Sequence, residues 1–151
     1  MKKKPGINSI FPAGLKFNVK SHDIEEMREQ ATFWSFEQNQ LGRGKFEGKT
    51  LAYHTRNLQL SLTYRSVGVS IYGQTPPETT IISFPLYPVN TIYFRGQLVR
   101  KHQLLSLNHS DELDLHTLFP STLLTVAIST KVLEKQVFSL LGRSFVKSLL
   151  Q

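Results

Sequence analysis

The chain has 151 residues, 40% of them hydrophobic and 19% charged, which fits one compact domain able to bury a real core. The absence of cysteine excludes disulfide scaffolds, Cys-ligated zinc or iron–sulfur sites and cysteine nucleophiles. Formal charge is +7, but five lysines (Lys2, Lys3, Lys4, Lys16 and Lys20) and no acid fall in residues 1–20. The surplus therefore reads as a basic amino-terminal tail ahead of a weakly basic body rather than a DNA-reading surface. No stretch approaches 18 apolar residues, and the lysine start leads into Pro5 and Gly6 without the apolar core of a signal peptide. A soluble, cytoplasmic protein that does not enter membranes is the expectation.

After the tail (1–20), residues 21–130 are expected to form a mainly β domain. Its one early helix starts at Asp23, a capping candidate with Glu26 three residues on. Ile24, Met27, Ala31 and Trp34 recur at helical spacing, and the helix gives way to a strand or bend around Trp34 to Phe36. Gly42, Gly44 and Gly48 make the next segment a loop. From there the period is two. Leu58, Leu60, Leu62 and Tyr64 alternate with Gln59, Ser61, Thr63 and Arg65, which predicts a half-buried strand. Further strands are expected over 50–54, 67–72, 79–86, 90–94, 102–107, 112–116 and 121–130, separated by turn chemistry such as Pro76-Pro77 and Arg95-Gly96. Seven or eight short strands at this spacing argue for a sandwich or barrel. Residues 131–151 read as a carboxyl-terminal helical segment. Leu133, Val137, Leu140 and Leu141 lie on one face, Gly142 is a stop or kink, and Phe145, Val146, Leu149 and Leu150 resume the spacing. So wide an apolar surface is expected to be covered by the β domain itself, by a second subunit or by a further domain downstream.

Few residues carry a chemical signature. His22, His54, His102, His109 and His116 never occur as His-x-His or His-x-x-x-His, so no metal site is expected. His22 and His109 are assigned to exposed loops, and His54, His102 and His116 to strands, facing solvent or bonding locally. Glu112 and Asp114 would share one strand face as a solvated acidic edge rather than an acid/base pair. No nucleophile elbow, phosphate loop or dinucleotide fingerprint is present. Catalytic residues and cofactors are accordingly expected to be none. The abundant aromatic residues, with arginines close by, could wall a small-molecule pocket. Trp34, Tyr53, Tyr64, Arg65, Tyr72 and Arg95 are the candidate ligand-binding residues, Arg65 being suited to an anionic group.

The order of elements resembles a known family. Trp34 to Gly48, with its Gln40-Leu41 pair and Gly44-Lys-Phe-Glu-Gly48 element, is followed by a β meander, then Phe94-Arg95-Gly96, Glu112-Leu-Asp-Leu-His-Thr117, and the Ser121 to Leu141 strand and helix. This resembles the amino-terminal cupin-like regulatory domain of AraC-type bacterial transcription regulators, most of all the branch that includes regulators of ethanolamine-utilisation operons. The resemblance covers roughly residues 20–145. It implies a double-stranded β-barrel with a short amino-terminal helix and a carboxyl-terminal helix, sensing an effector or mediating dimerisation without enzymatic activity. It also implies that DNA is contacted only through a helix-turn-helix domain that this chain lacks. Such regulators dimerise through helices that follow the barrel, so Leu133, Val137, Leu140 and Leu141 are the candidate homodimer interface. Two alternatives stand beside this reading: an interaction or dimerisation protein without ligand, and a metal-dependent cupin enzyme.

Overall fold

The computed structural model describes residues 14, 16–31, 33–87, 91–109 and 111–141, the side chains of Tyr87 and Leu141 excepted. In chain order the elements are β1 (Lys16–Ser21), α1 (Ile24–Gln30), β2 (Ser35–Gln40), β3 (Gly48–His54), β4 (Leu58–Arg65), β5 (Val69–Gln74) and β6 (Thr79–Tyr87). They continue as β7 (Ile92–Phe94), β8 (Gln97–Leu98), β9 (Leu105–Leu107), β10 (Glu112–Thr117), β11 (Ser121–Ser129) and α2 (Thr130–Leu141). The fold is mainly β. A six-stranded sheet runs β1-β3-β4-β11-β6-β9 and a five-stranded sheet runs β2-β5-β10-β7-β8, all pairings being antiparallel. Among the described residues no strand pairing joins the two sheets, so the expected closure into one barrel is not seen. The sheets instead face one another across a shared core that includes Ile81, Leu107 and Leu123 from the larger sheet and Val69, Ile71, Leu113 and Leu115 from the smaller.

Helix α1 closes one end of this core. Asp23 Oδ1 accepts from the Glu26 amide at 2.8 Å, and Glu26 accepts from the His22 amide at 2.6 Å, so the expected capping pair forms. Met27, only 3% exposed, points down onto β3, where Gly48 makes room for it. A Cβ on Gly48 would lie 2.9 Å from the Met27 sulfur, so the helix seats closely only because that side chain is missing. The β7–β8 hairpin turns on Arg95 (φ 50) and Gly96 (φ 74). Two consecutive left-handed residues match the strand twist, and the Phe94-Arg95-Gly96 motif is a structural turn.

Several boundaries differ from expectation for identifiable reasons. Residues 16–20 belong to edge strand β1, paired with β3, so the basic tail is shorter than 1–20. Lys16, Asn18 and Lys20 face outward while Phe17 and Val19 are half-buried, and lysines on an outer face guard an edge strand without preventing its pairing. The strand expected over 102–107 is confined to Leu105–Leu107, because His102 takes a left-handed φ of 69 in the preceding turn. Thr130 begins α2 rather than ending β11. Gly142 and the apolar residues after it lie outside the described residues.

Candidate functional site

Between the two sheets lies a cavity of about 120 Å³. Its walls are of two kinds. The five-stranded sheet contributes Phe36, Ile71, Phe94, Leu113 and Leu115 with one amide, Gln38, and the segment around α1 adds Met27, Gln30, Ala31 and Trp34. The six-stranded sheet brings Leu123 and Ile81 but also a row of polar side chains: Thr50 from β3, Ser61, Thr63 and Arg65 from β4, and the Ser83–Thr125 hydroxyl pair, hydrogen-bonded at 2.9 Å. The residues on β4 that face this interior are therefore Gln59, Ser61, Thr63 and Arg65, whereas Leu58, Leu60, Leu62 and Tyr64 form the outer face. Alternation correctly marks the strand; it is the polar phase that points inward.

Among the described residues, Arg65 is the only ionisable side chain in the wall. It is 6% exposed. Its Nε–H donates to Gln38 Oε1 at 3.0 Å, across from one sheet to the other. All eleven Asp and Glu side chains lie within the described residues, and none forms an ion pair with Arg65; the remaining guanidinium N–H groups have no hydrogen-bond partner among the described residues. Burial pulls the Arg65 pKa down to about 10, which leaves the group charged at neutral pH.

A second polar chain borders the same space. Trp34 Nε1 donates to Gln59 Oε1 at 3.0 Å, and Gln59 Nε2 lies 2.9 Å from His54 Nε2. With the Gln59 oxygen already accepting, its amide nitrogen is the donor to His54, so that imidazole nitrogen carries no proton. His54 is 4% exposed, set edge-on against Phe17 and Phe33, and burial lowers its pKa from 6.5. It is thus a buried neutral histidine rather than a solvent-facing one.

Of the candidate ligand residues, the structure brings Trp34 and Arg65 to the cavity. The others lie elsewhere because their strand phase or turn turns them away. Tyr53 is 42% exposed and Tyr64 half-buried on the outer face of the six-stranded sheet; Tyr72, 54% exposed, is on the outer face of the five-stranded one. The Tyr72 hydroxyl donates to Glu112 at 3.1 Å, which raises its pKa. Arg95 sits in the hairpin turn, 3.3 Å from Asp111. Gln38 and Gln59 are the site residues that the sequence reading missed; Gln38 shares its strand phase with half-buried Phe36, and Gln59 shares its phase with buried Arg65. On α2, Leu133 and Val137 are half-buried and Leu140 is 77% exposed.

The remaining histidines do not converge. His22 and His109 are exposed, His102 is in a turn, and His116 pairs with Asp114 at 2.8 Å on the outer face of β10. Among the described residues no three metal-binding side chains cluster, and no helix is long and apolar enough to cross a membrane. Comparison of the chain with protein-family models, curated proteins and solved structures finds no match.

Proposed function

We propose that this chain is the effector-sensing domain of an AraC-type bacterial transcription regulator: a cytoplasmic, cupin-like, non-enzymatic unit that binds a small molecule between its sheets and dimerises through α2. The observation that carries the reading is the cavity itself, roofed by α1 and bounded by one apolar and one partly polar wall. Cavities of this kind, apolar with a few placed polar groups, are the ordinary form of small-molecule sites. Binding is favoured over turnover by the wall's composition. Acid–base or nucleophilic chemistry needs a titratable or nucleophilic pair within reach; the described wall offers one arginine with hydroxyls and amides, and the nearby His54 imidazole is hydrogen-bonded to Gln59. The resemblance of Trp34–Gly48, Phe94-Arg95-Gly96 and Glu112–Thr117 to the regulatory domains supports the same assignment. The exposed Leu140 of α2, 77% exposed, supports the dimerisation component.

Filling the cavity tests this. Ser61 lines it from β4, and Ser61→Phe places a ring in the space while leaving the outer faces unchanged. Ligands found by thermal-shift screening of the parent chain are expected to raise its melting temperature and not that of the folded Ser61→Phe variant. Equal stabilisation of both would place binding outside the cavity and refute the reading.

A further inference from the structure

The polar wall restricts what the cavity can hold. A buried cation is ordinarily paired with a carboxylate, because removing a charge from water costs several kcal/mol that only a counter-charge and full hydrogen bonding offset. Arg65 lacks that counter-charge, although eleven carboxylates were available to supply it. What it has is an orienting contact. Gln38 holds Nε, which fixes the plane of the guanidinium and leaves the other N–H groups without a protein partner among the described residues. A planar fork held in this way matches a carboxylate in two-point contact. Thr50 and Thr63 face each other across the β3–β4 ladder and both line the cavity, adding hydroxyl donors to the same wall.

We propose that the cavity's ligand is a small monocarboxylate with an apolar body, its carboxylate on Arg65 and its body against Trp34, Phe36, Ile71 and Leu115. The assignment rests on the sensing reading above and narrows it to one chemical class. A single cation specifies a single negative charge. A dicarboxylate or a phosphate dianion would bring a second charge into a wall that has nothing to neutralise it. A bare inorganic anion would satisfy Arg65 but leave the apolar side empty, forgoing the burial that makes such pockets bind. Size limits the body: the volume is close to that of an engineered cavity of about 150 Å³ that admits benzene, so aromatic acids near benzoate and short aliphatic acids fit the space. Gln38 is a positioning residue here, acting through Arg65.

Trp34 is the sole tryptophan and lines the cavity, so its emission reports occupancy directly. The full chain, in about 0.15 M salt to screen the surface lysines, is titrated with benzoate, phenylacetate and hexanoate, and with benzamide, phenylacetamide and hexanamide as uncharged counterparts. At least one acid is expected to give a saturable change and to bind about ten- to a hundredfold more tightly than its amide, the range that a charge-assisted hydrogen bond supplies. Arg65→Met should erase that preference, and Arg65→Lys should restore part of it. Amides that bind as well as their acids, or an Arg65→Met variant that still prefers acids, would overturn the carboxylate assignment while leaving the cavity a ligand site. Silence from all six probes would overturn the assignment, and the sensing reading would then be judged by the cavity-filling variant. The acid–amide comparison uses the unaltered chain and decides the question even if Arg65→Met does not fold.

Discussion

In the five-stranded sheet, β5 and β10 send Val69, Ile71, Leu113 and Leu115 inward and Ser70, Tyr72, Glu112, Asp114 and His116 outward. In the six-stranded sheet, β4 does the reverse, turning Gln59, Ser61, Thr63 and Arg65 to the interior and Leu58, Leu60, Leu62 and Tyr64 to the outside. The register extends this outer apolar face. Leu62 lies between Leu51 and Leu124, and Leu60 between Tyr53 and Val126. The smaller sheet thus follows the ordinary division of an antiparallel sheet with one wet face, whereas the central strand of the larger one does not. Two apolar inner faces would interdigitate and close. A row of hydroxyls, an amide and a guanidinium opposite an apolar wall cannot close without burying polar groups unmatched, and space for a ligand remains. Under the sensing proposal, the polar wall is where folding and binding make opposed demands on the same residues.

The largest effect should come from the apolar wall. Leu115→Ala, at a residue only 4% exposed, is expected to lower unfolding free energy by about 2–5 kcal/mol through lost burial and an enlarged void. Leu62→Ala, on the half-buried outer face of β4, should cost about 1 kcal/mol, its losses being cross-strand contacts of about 0.2–1 kcal/mol each. Urea denaturation of the two variants compares them, and equal losses would break the distinction between the inner and outer faces.

Arg65→Met should act in the opposite direction. The fall of the Arg65 pKa to about 10 from the ordinary arginine value corresponds to a cost on the order of 3 kcal/mol for holding the charge inside. That cost is present throughout the pH range below about 10 and is relieved only as pH rises from there toward the ordinary arginine value. Removing the charge recovers it, less about 1 kcal/mol for the Gln38 oxygen left without its donor. The unliganded variant is expected to be more stable than the parent by about 1–2 kcal/mol in denaturant melts. A loss of stability would show that Arg65 is a structural strut and not a group held ready for a ligand.

A smaller, pH-dependent difference should come from His54, beside the cavity and bonded to the wall residue Gln59. Burial lowers the His54 pKa from 6.5, so the unfolded chain takes up this proton at a higher pH than the folded chain. Stability from His54 is therefore complete above about 6.5 and declines as pH falls from there through the folded-state pKa. Melts between pH 7.5 and 5 should show that decline for the parent and a flatter profile for His54→Gln, whose side chain does not titrate. Identical slopes would remove His54 as the source.

Much of this architecture is legible in the sequence, and what is not has a physical cause. Period-two alternation locates β3, β4, β6, β10 and β11 closely, and Asp23 with Glu26 locates the start of α1, because both are local effects of backbone geometry. Alternation does not say which phase faces inward, since a period of two is the same read from either side of the sheet. Only β2, β5 and β10 packing opposite decides it. Arg65 stood out as an anion partner and is at the cavity, yet Tyr53, Tyr64 and Tyr72, chosen as aromatic wall material, fall on outward phases. Gln38 and Gln59 carried no signal beyond polarity. Their roles arise from contacts across 27 residues to Arg65 and 25 residues to Trp34. Strand β1 was hidden by its lysines, which spoke for a solvated tail while Phe17 and Val19 kept the alternation of an edge strand.

The smallest effect on folding is expected at the far end of the larger sheet, where α2 leaves β11. The helix is fixed at its first residue by the Thr130 amide bonding to Glu78 at 2.9 Å and by the Thr130–Thr80 hydroxyl contact at 2.9 Å. Farther along, Leu133 and Val137 are half-buried while Leu140 stands open. Leu140→Asp should therefore change stability by no more than about 0.5 kcal/mol, as surface substitutions do. Its effect on assembly should be large. Burying one leucine is worth roughly 1.5–3 kcal/mol, and a two-fold interface counts each substitution twice, so losing Leu140 on both copies shifts a micromolar dimer well toward monomer. Sedimentation at micromolar concentration is expected to show a dimer for the parent and a 17.2 kDa monomer for the variant. A monomeric parent would reject dimerisation, and a dimer untouched by Leu140→Asp would move the interface off α2 to another surface, with the outer apolar face of β4 and β11 the next to be tested.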